Sequence, residues 1–484
     1  MSELDRDTQR IGADEWVAQV EGRREGRRGV SALLLGAWER TPPAGRLALI
    51  VVPAAVFPLL VNSGDVYRYG LITILYALLA LGLNTVVGFA GILDLGYMAF
   101  FGFGAYAFGF LASDHSGHHL RPELAIPLII VMTALLGLLL GLPSRRLIGD
   151  YLAIVTLFFG QAFVVFVNNA DRIDFPRFGQ VDLTGGPNGL TDIDPLRLLG
   201  LEITTTNEYY YFSLIAFVLM MAMLHFVSES RTGRAWRALR EDPLAAEAMS
   251  IPVNRLKLLA FAFGAATAGF VGTIYGSVQT GAFPGDFDVP LLITIYAIVI
   301  LGGAGSLAGV VVAAIVVQGI PELLRTPETA RWLFYAAILV GLLARLRPWP
   351  RLAGVLVALL GFGFAVHALA DEFWPRWTAR EIEDESTLAS VLESWMLLPS
   401  DPKQLGNWAF VALIAAFLLV TRLGTRWRTI ALVPVLYLAA FVWENLLIQE
   451  VAGATPLILL GAVLIVLMNA RPQGLFGTAR VEIA

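Results

Sequence analysis

Long apolar stretches constrain the fold of this 484-residue chain more than any other feature of its sequence. Many of them run for about 17–25 residues, the length that an α-helix needs to cross a bilayer. The strands of a transmembrane barrel alternate polar and apolar residues, and these stretches do not, so helices are the only spanning elements left. Charged residues make up 15% of the chain, well below the ~25% usual for soluble domains. The sequence therefore predicts an all-α polytopic membrane protein.

About fourteen apolar segments are candidate spans. They cover residues 47–62, 67–88, 92–112, 124–142, 150–169, 209–228, 256–278, 290–303, 306–320, 332–345, 352–370, 408–421, 429–448 and 455–470. If all of them cross the membrane, more than two thirds of the 34 Lys and Arg residues lie on the side of the N-terminus. Basic loops stay in the cytoplasm, so both termini are expected there. Residues 1–45 carry the basic run RREGRRG and no early apolar core, which predicts a cytoplasmic tail rather than a cleavable signal peptide.

The charged loop after the sixth apolar segment predicts two short helices. Asp242 is a strong N-cap residue and Pro243 suits the first position of a helix, so one helix should end near Glu241 and the next should begin at Pro243. The second helix offers small Ala residues, with Leu244 and Met249 as apolar knobs. Arginine recurs every third residue along the first helix, an arrangement that also suits side chains reaching lipid headgroups. A capped helix at the far tip of the loop favours insertion into a groove on another protein.

Six short stretches follow one another along the chain in an order that is itself informative. They are GLNTVVGFAGILDLGYMAFFGFGAYAFGFL (82–111), GDYLAIVTL (149–157), TGGPNGL (184–190), RTGRAWRALREDPLAAEAMSI (231–251), ILGGAGSLAG (300–309) and RPQGLFG (471–477). Together they resemble the branched-chain amino acid ABC importer permeases of the LivM type. The resemblance implies an ABC importer permease helical bundle with broken helices, whose charged loop couples to separate ATPase subunits. The coupling residues that it implies are Arg240, Glu241, Asp242, Ala245, Ala246, Glu247, Ala248 and Ser250.

The chain departs from the family pattern in three places. Ser250 stands where a Gly is usual, and Asp94 and Tyr97 stand where many relatives have Ser and His. Residues 346–454 look like an addition, with three apparent spans and an acidic outer loop at 371–407.

The resemblance divides the chain into four parts. These are a cytoplasmic N-terminal tail (1–45), a permease core (46–345) with the coupling loop 229–255, the added membrane segments (346–454), and a terminal helix with a cytoplasmic tail (455–484). Two segments near the C-terminus, RWLFYAAILVGLLARLRP and LILLGAVLIVLMNARPQG, both resemble the last helix of the family, and the sequence does not choose between them.

The sequence predicts no catalytic residue, bound cofactor or metal site in this chain. A P-loop needs the motif GxxxxGK[ST], and neither lysine of the chain follows a glycine, so any ATP must be used by partner subunits. The histidines of SDHSGHHL are clustered but have no evident fourth ligand. The glycines of GFGAYAFG (102–109) are interpreted as a close contact between helices.

Polar and glycine positions within the apolar segments are the candidates for a substrate path. They are Asn84, Asp94, Tyr97, Gln161, Gly302 and Gly303. The runs GFAG (88–91) and GGAGSLAG (302–309) interrupt helices in two parts of the chain, which fits a midplane binding site and, equally, plain cytoplasmic turns. Asp94 would cost about 3 kcal/mol at the centre of a spanning helix, so it should face a partner, a watery path or the membrane surface. Asn84 and Gln161 also suit hydrogen bonds between helices.

The leading interpretation is a permease subunit of an ATP-driven importer in the bacterial plasma membrane, for which the resemblance implies Leu, Ile or Val as substrate. The expected partners are two ATPase subunits, a second permease of the LivH type, a substrate-binding protein and the lipid bilayer, and no nucleic acid. Relatives that carry urea or short amides leave those solutes as an alternative. A further alternative is an ion-coupled secondary transporter, which would need intramembrane ionisable groups such as Asp94. A membrane scaffold without transport would not require broken helices.

Overall fold

The computed structural model describes residues 43–113, 115–117, 119–144, 150–175, 179–198, 200–345, 349–380, 387–422, 424–449, 451, 453–470 and 474–476. The predicted N-terminal tail therefore lies almost entirely outside the described residues. So do the basic residues at 145, 146, 347, 471 and 480 that contribute to the predicted topology.

The described chain is almost entirely helical. Its helices are α1 (Pro43–Leu60), α2 (Ser63–Phe89), α3 (Tyr97–Leu111), α4 (Pro122–Ser144), α5 (Asp150–Asn169), α6 (Thr206–Glu229), α7 (Arg231–Glu241), α8 (Pro243–Ala248), α9 (Val253–Val278), α10 (Val289–Gly302), α11 (Leu307–Leu323), α12 (Pro327–Arg345), α13 (Trp349–Phe373), α14 (Thr387–Trp395), α15 (Pro402–Arg422), α16 (Thr425–Val442) and α17 (Thr455–Ala470). Two turns of α2, Val66–Leu71 and Thr85–Phe89, are π-helical, and a third π-helical turn, Trp443–Leu447, continues α16. The predicted all-α class is confirmed.

The count of about fourteen spans is not confirmed. Nine helices among the described residues are long and apolar enough to cross a membrane, or ten if α11 and α12, which are bent by 119° at their junction, form one broken span. Three further apolar helices are shorter, at Ile50–Leu60, Tyr97–Leu111 and Thr455–Ile465. One reason is local: the residues after Phe89 leave the helix, so the third apolar segment becomes helical only at Tyr97.

Glycines let the backbones of α3 and α9 touch, and α9 also packs against α2 and α4. A Cβ atom added at Gly104 would lie 2.2 Å from the carbonyl oxygen of Gly269, and one added at Gly272 would lie 2.1 Å from that of Phe101. Any side chain at these positions would force the two helices apart. The interpretation of GFGAYAFG as a packing surface is confirmed.

Proline in α1 leaves a carbonyl group without its usual helical partner, and α6 supplies one. Pro58 has no N–H to donate to the carbonyl of Ala54. The hydroxyl of Tyr210 donates to that oxygen at 2.6 Å, and the hydroxyl of Tyr211 donates to the carbonyl of Ala55 at 3.2 Å. Tyrosines of α6 thus satisfy backbone groups that lipid cannot.

Short strands gather the predicted outer loops at one end of the bundle. Their bounds are β1 (Ile173–Phe175), β2 (Gly179–Val181), β3 (Leu190–Thr191), β4 (Leu196–Leu198), β5 (Leu201–Ile203) and β6 (Gly281–Ala282). β1 pairs with β2 and β4 with β5 as antiparallel hairpins, while β3 pairs with β6 across a long separation in sequence. A bridge between Ser113 and Ile193 adds the loop after α3 to this end. The predicted TGGPNGL turn is also here, with left-handed backbone at Gly185 and Gly189.

The C-terminal part has apolar clusters of its own. α13, α15 and α16 are the three long helices in 346–454, and their side chains pack with α14 and α12 rather than with the main core. Of the two similar C-terminal segments, α12 shares an apolar cluster with the end of α11, while α17 packs against both α10 and α11. The residues after it continue the contact, because the N–H groups of Leu475 and Phe476 donate to the carbonyls of Leu301 and Gly302 at 2.9 and 3.2 Å.

Candidate functional site

The α7–α8 hairpin forms because each helix has its own N-cap. The hydroxyl of Ser230 accepts from the N–H of Gly233 at 3.2 Å and starts α7. The carboxylate of Asp242 accepts from the N–H groups of Leu244 and Ala245 at 2.8 and 3.1 Å and starts α8 at Pro243. The predicted boundary between Glu241 and Pro243 is confirmed.

The buried face of α7 holds the hairpin against the rest of the bundle. Trp236 is 1% exposed, and its indole N–H donates to the carbonyl of Leu256 in α9 at 3.0 Å. Leu239 is buried beside it. The guanidinium groups of Arg234 and Arg237 donate to the carbonyls of Glu229 and Ser228 in the last turn of α6.

α8 presents two large apolar side chains to the outside. Leu244 is 79% exposed and Met249 is 78% exposed, so neither is packed within this chain. Six of the predicted coupling residues are exposed around them: Glu241, Asp242, Ala245, Glu247, Ala248 and Ser250. Ala246 is not part of this surface, because only 3% of it is exposed and its carbonyl accepts from Ile251 at 3.1 Å. The helix turns this residue towards α9.

Ser250 ends the hairpin in a left-handed backbone conformation, with φ at +62°. Glycine adopts this conformation without the steric cost that a Cβ atom imposes. The geometry at Ser250 would therefore suit a glycine, the residue that the resemblance implies at this position.

Arg240 connects the hairpin to two other parts of the chain. Its guanidinium Nη1 donates to the carbonyl of Gly88 at 2.5 Å and to that of Ala304 at 3.2 Å. Gly88 lies in the last, π-helical turn of α2, and Ala304 lies in the turn between α10 and α11. These two hydrogen bonds of Arg240, a predicted coupling residue, are thus made to other parts of the same chain.

The two glycine-rich runs meet beside Arg240. The amide oxygen of Asn84 accepts from the N–H of Gly305 at 2.8 Å, and a Cβ atom at Gly88 would lie 2.4 Å from that nitrogen. Gly303 and Gly305 have φ values of +97° and +88°. Both runs therefore lie at the end of the bundle that carries the hairpin.

Gly302 and Gly303, predicted for the substrate path, are buried at the end of α10. A Cβ atom at Gly302 would lie 2.5 Å from the carbonyl carbon of Gly309, and the backbone of Gly303 touches Gly474. These glycines permit close packing of α10, α11 and the C-terminal residues.

Asp94 is 1% exposed and has partners within the chain. Its carboxylate accepts from the N–H of Gly96 at 3.0 Å. Its carbonyl accepts from the hydroxyl of Tyr296 at 2.8 Å, and its own N–H donates to that hydroxyl at 3.1 Å. These bonds stabilise the non-helical segment between α2 and α3.

Tyr97 and Asn84 keep buried polar atoms unpaired. Both side chains are fully buried, and neither the hydroxyl of Tyr97 nor the amide nitrogen of Asn84 has a hydrogen-bond partner among the described residues. Gln161 lies further along the bundle, and its amide donates to the carboxylate of Asp288 at 3.2 Å. The predicted path residues thus do not converge on one place.

The clustered histidines pair with different carboxylates. The ring of His115 lies 3.5 Å from the carboxylate of Asp182, and that of His119 lies 2.9 Å from Asp194. His118 lies outside the described residues.

The sequence interpretation missed a buried ion pair between α12 and α16. The guanidinium of Arg331 and the carboxylate of Glu444 lie 2.8 Å apart, with 2% and 1% of the side chains exposed. The hydroxyl of Tyr335 also donates to Glu444, at 3.4 Å. The sequence did contain a signal for this pair, because each of two apolar segments carries one charge and the charges are opposite. However, 113 residues separate Arg331 from Glu444.

Comparison with known proteins places this arrangement in a family. The sequence model of the family described as "Branched-chain amino acid transport system / permease component" matches residues 68–340. The chain is 34% identical over 334 residues to the high-affinity branched-chain amino acid transport system permease protein LivM of Escherichia coli, covering 62% of this chain and 75% of LivM. The LivM protein of Salmonella typhimurium is 35% identical over the same shares.

The permease protein LivH is also similar to this chain. LivH of Escherichia coli is 28% identical over 181 residues, or 37% of this chain and 55% of LivH. No solved structure matches. The multi-pass helical bundle and the match over residues 68–340 lead to one conclusion: this chain belongs to the family of permease components of branched-chain amino acid transport systems.

Proposed function

We propose that this chain is the transmembrane permease subunit of an ATP-driven importer of Leu, Ile and Val, and that separate ATPase subunits bind it at α8. The exposed pair Leu244 and Met249 carries the proposal. Apolar anchors on a short helix suit insertion into a groove of a partner protein. The hairpin lies between two long apolar helices, α6 and α9, at the end of the bundle opposite the strand-rich loops.

Arg240 is proposed as the residue that passes movement of the hairpin into the bundle. A force on α8 acts on α7, because the two helices share the cap at Asp242. Arg240 then acts on the end of α2 and on the turn between α10 and α11 together, through its two hydrogen bonds. Charged hydrogen bonds of about 1.5–3 kcal/mol each make this a firm connection.

The partners follow from the same proposal. Two ATPase subunits use the ATP, a second permease of the LivH type completes the path, and a binding protein delivers the substrate. The chain binds no cofactor and catalyses no reaction itself. We place it in the bacterial inner membrane with both termini in the cytoplasm, which the distribution of Lys and Arg supports. Asn84 and Tyr97 remain candidates for the path, since their unpaired polar atoms are available to a substrate when the bundle opens.

Uptake and purification test the proposed function together. Cells that lack the gene for this chain should lose uptake of radioactive leucine, isoleucine and valine, and the gene should restore it. An affinity-tagged chain, extracted in mild detergent, should co-purify with two ATPase subunits and a second permease. Uptake that continues when the ATPases are deleted would support the secondary transporter. Uptake of urea alone would show that urea, and not a branched-chain amino acid, is the substrate.

Arg240→Met is expected to separate ATPase binding from transport. Methionine keeps an aliphatic chain of similar length but donates no hydrogen bond to Gly88 or Ala304. The ATPases should still co-purify, because Leu244 and Met249 are unchanged. Leucine uptake should fall about tenfold, because losing the hydrogen bonds of Arg240 removes ~1.4 kcal/mol or more. Arg237→Met is the matched control, since Arg237 donates to the carbonyl of Ser228 at the end of α6 and not to α2 or to the turn between α10 and α11, and this variant should transport normally. Normal uptake by Arg240→Met would remove Arg240 from the coupling route.

A further inference from the structure

The turn between α9 and α10, at the end of the bundle opposite the hairpin, is built around an aromatic residue. The turn Pro284–Phe287 is a 3₁₀-helix, and Phe287 is fully buried. Its ring centroid lies 5.3–6.5 Å from the centroids of Phe101, Tyr106, Phe163 and Tyr275. These rings come from α3, α5 and α9, so the turn joins three helices.

Asp286 places a carboxylate at the edge of these rings. It is partly buried, and it accepts a hydrogen bond from the hydroxyl of Tyr275. The residues in electrostatic contact with it are Tyr67, Tyr76, Tyr106 and Tyr275. Within the described part of the chain, no Lys, Arg or His forms an ion pair with Asp286. A carboxylate withdrawn from water without a cation is costly, and such a group in a membrane protein marks a binding site by default.

Tyr106 gives a second and independent indication of a ligand. Its side chain is 5% exposed, and its hydroxyl has no hydrogen-bond partner among the described residues. Two neighbouring hydroxyls are paired. That of Tyr67 donates to the amide oxygen of Gln279 at 2.5 Å. That of Tyr275 accepts from the amide nitrogen of Gln279 at 3.3 Å and donates to the carboxylate of Asp286. Tyr106 therefore holds an unpaired hydroxyl near a carboxylate that has no cationic partner among the described residues, and a bound ammonium group would satisfy both.

We propose that Asp286 and Tyr106 form a site for the primary ammonium group of the transported amino acid, at the end where it enters the bundle. The carboxylate supplies the opposite charge, the hydroxyl of Tyr106 accepts an ammonium N–H, and the aromatic faces attract the cation and pack against the branched side chain. The inference rests on the proposed function, since it takes its ligand from the proposed substrate class.

Asp286→Asn tests the site by removing the charge at constant size. The maximal rate of leucine uptake should fall at least tenfold, as loss of a desolvated charge pair implies. The external concentration that half-saturates uptake should stay unchanged, because a separate binding protein captures the substrate first. Tyr106→Phe should lower the rate a few-fold. Asp286→Glu keeps the charge and should recover most of the rate. Asp174→Asn, an exposed carboxylate at the same end, is the matched control and should transport normally.

The outcomes separate this inference from the proposed function. If the unaltered chain imports no branched-chain amino acid, the proposed function fails. If it does import them and Asp286→Asn is equally fast, the ammonium site is overturned. Equal loss of activity in Asp286→Asn and Asp286→Glu, at normal abundance in the membrane, would make the carboxylate a structural group and also overturn the site.

Discussion

Replacing both Leu244 and Met249 by aspartate is expected to release the ATPase subunits and to lower leucine uptake at least a hundredfold. A buried apolar anchor at a protein interface typically contributes about 2 kcal/mol or more to the free energy of binding. Losing two anchors should therefore weaken the affinity for the ATPase subunits roughly a thousandfold. The substitution also places two carboxylates where the partner groove must be apolar. Because 79% and 78% of these side chains are exposed, the thermal stability of the chain itself should change little. Co-purification and uptake measure the effect.

Leu201→Asp provides the control for this pair. Leu201 is 74% exposed and lies on β5, at the opposite end of the bundle. An added carboxylate there should leave ATPase binding and uptake intact. If the Leu244/Met249 variant retains its ATPases, α8 is not the docking helix. If it loses them together with its own thermal stability, the surface is part of the fold instead.

The hairpin was predictable from sequence because its signals are local. A cap residue, a proline and a short Ala-rich run determine where α7 ends and α8 begins, and no distant contact is needed. Which side of α8 faces outwards was not predictable. Ala246 was assigned to the docking surface, yet it is buried, because only the packing of α8 on α9 decides which small residue points inwards.

Contacts between residues far apart in the chain account for the features that the sequence did not predict. The end of α2 unwinds where Gly88 meets Gly305, and such a contact between residues far apart in the chain leaves no periodic signal. The same holds for Arg240 and its two carbonyl partners, and for Asp286 among tyrosines from three helices. Apolar periodicity therefore predicts the helices well, but it does not tell which of them cross the membrane completely.

A charge pair joins residues 346–454 to the range that the family model matches. Arg331 lies within the matched range 68–340, and Glu444 lies beyond it, in the π-helical turn after α16. Phe334 and Trp443 stack beside the pair, with ring centroids 4.5 Å apart and planes inclined by 7°. Both charged side chains are almost fully buried, so the two charges depend on each other.

Breaking this pair from one side is expected to destabilise the chain by about 3–5 kcal/mol, because the remaining charge is left buried without its opposite charge. Arg331→Leu and Glu444→Leu should therefore each lower the denaturation temperature in detergent markedly. The double variant should recover most of the loss, since two leucines fill the space without any charge. Arg325→Leu removes an exposed partner of Glu322 and should change stability by no more than about 1 kcal/mol. If the losses in denaturation temperature are additive in the double variant, the two residues act separately. Residues 346–454 would then be held to the matched range by apolar contacts.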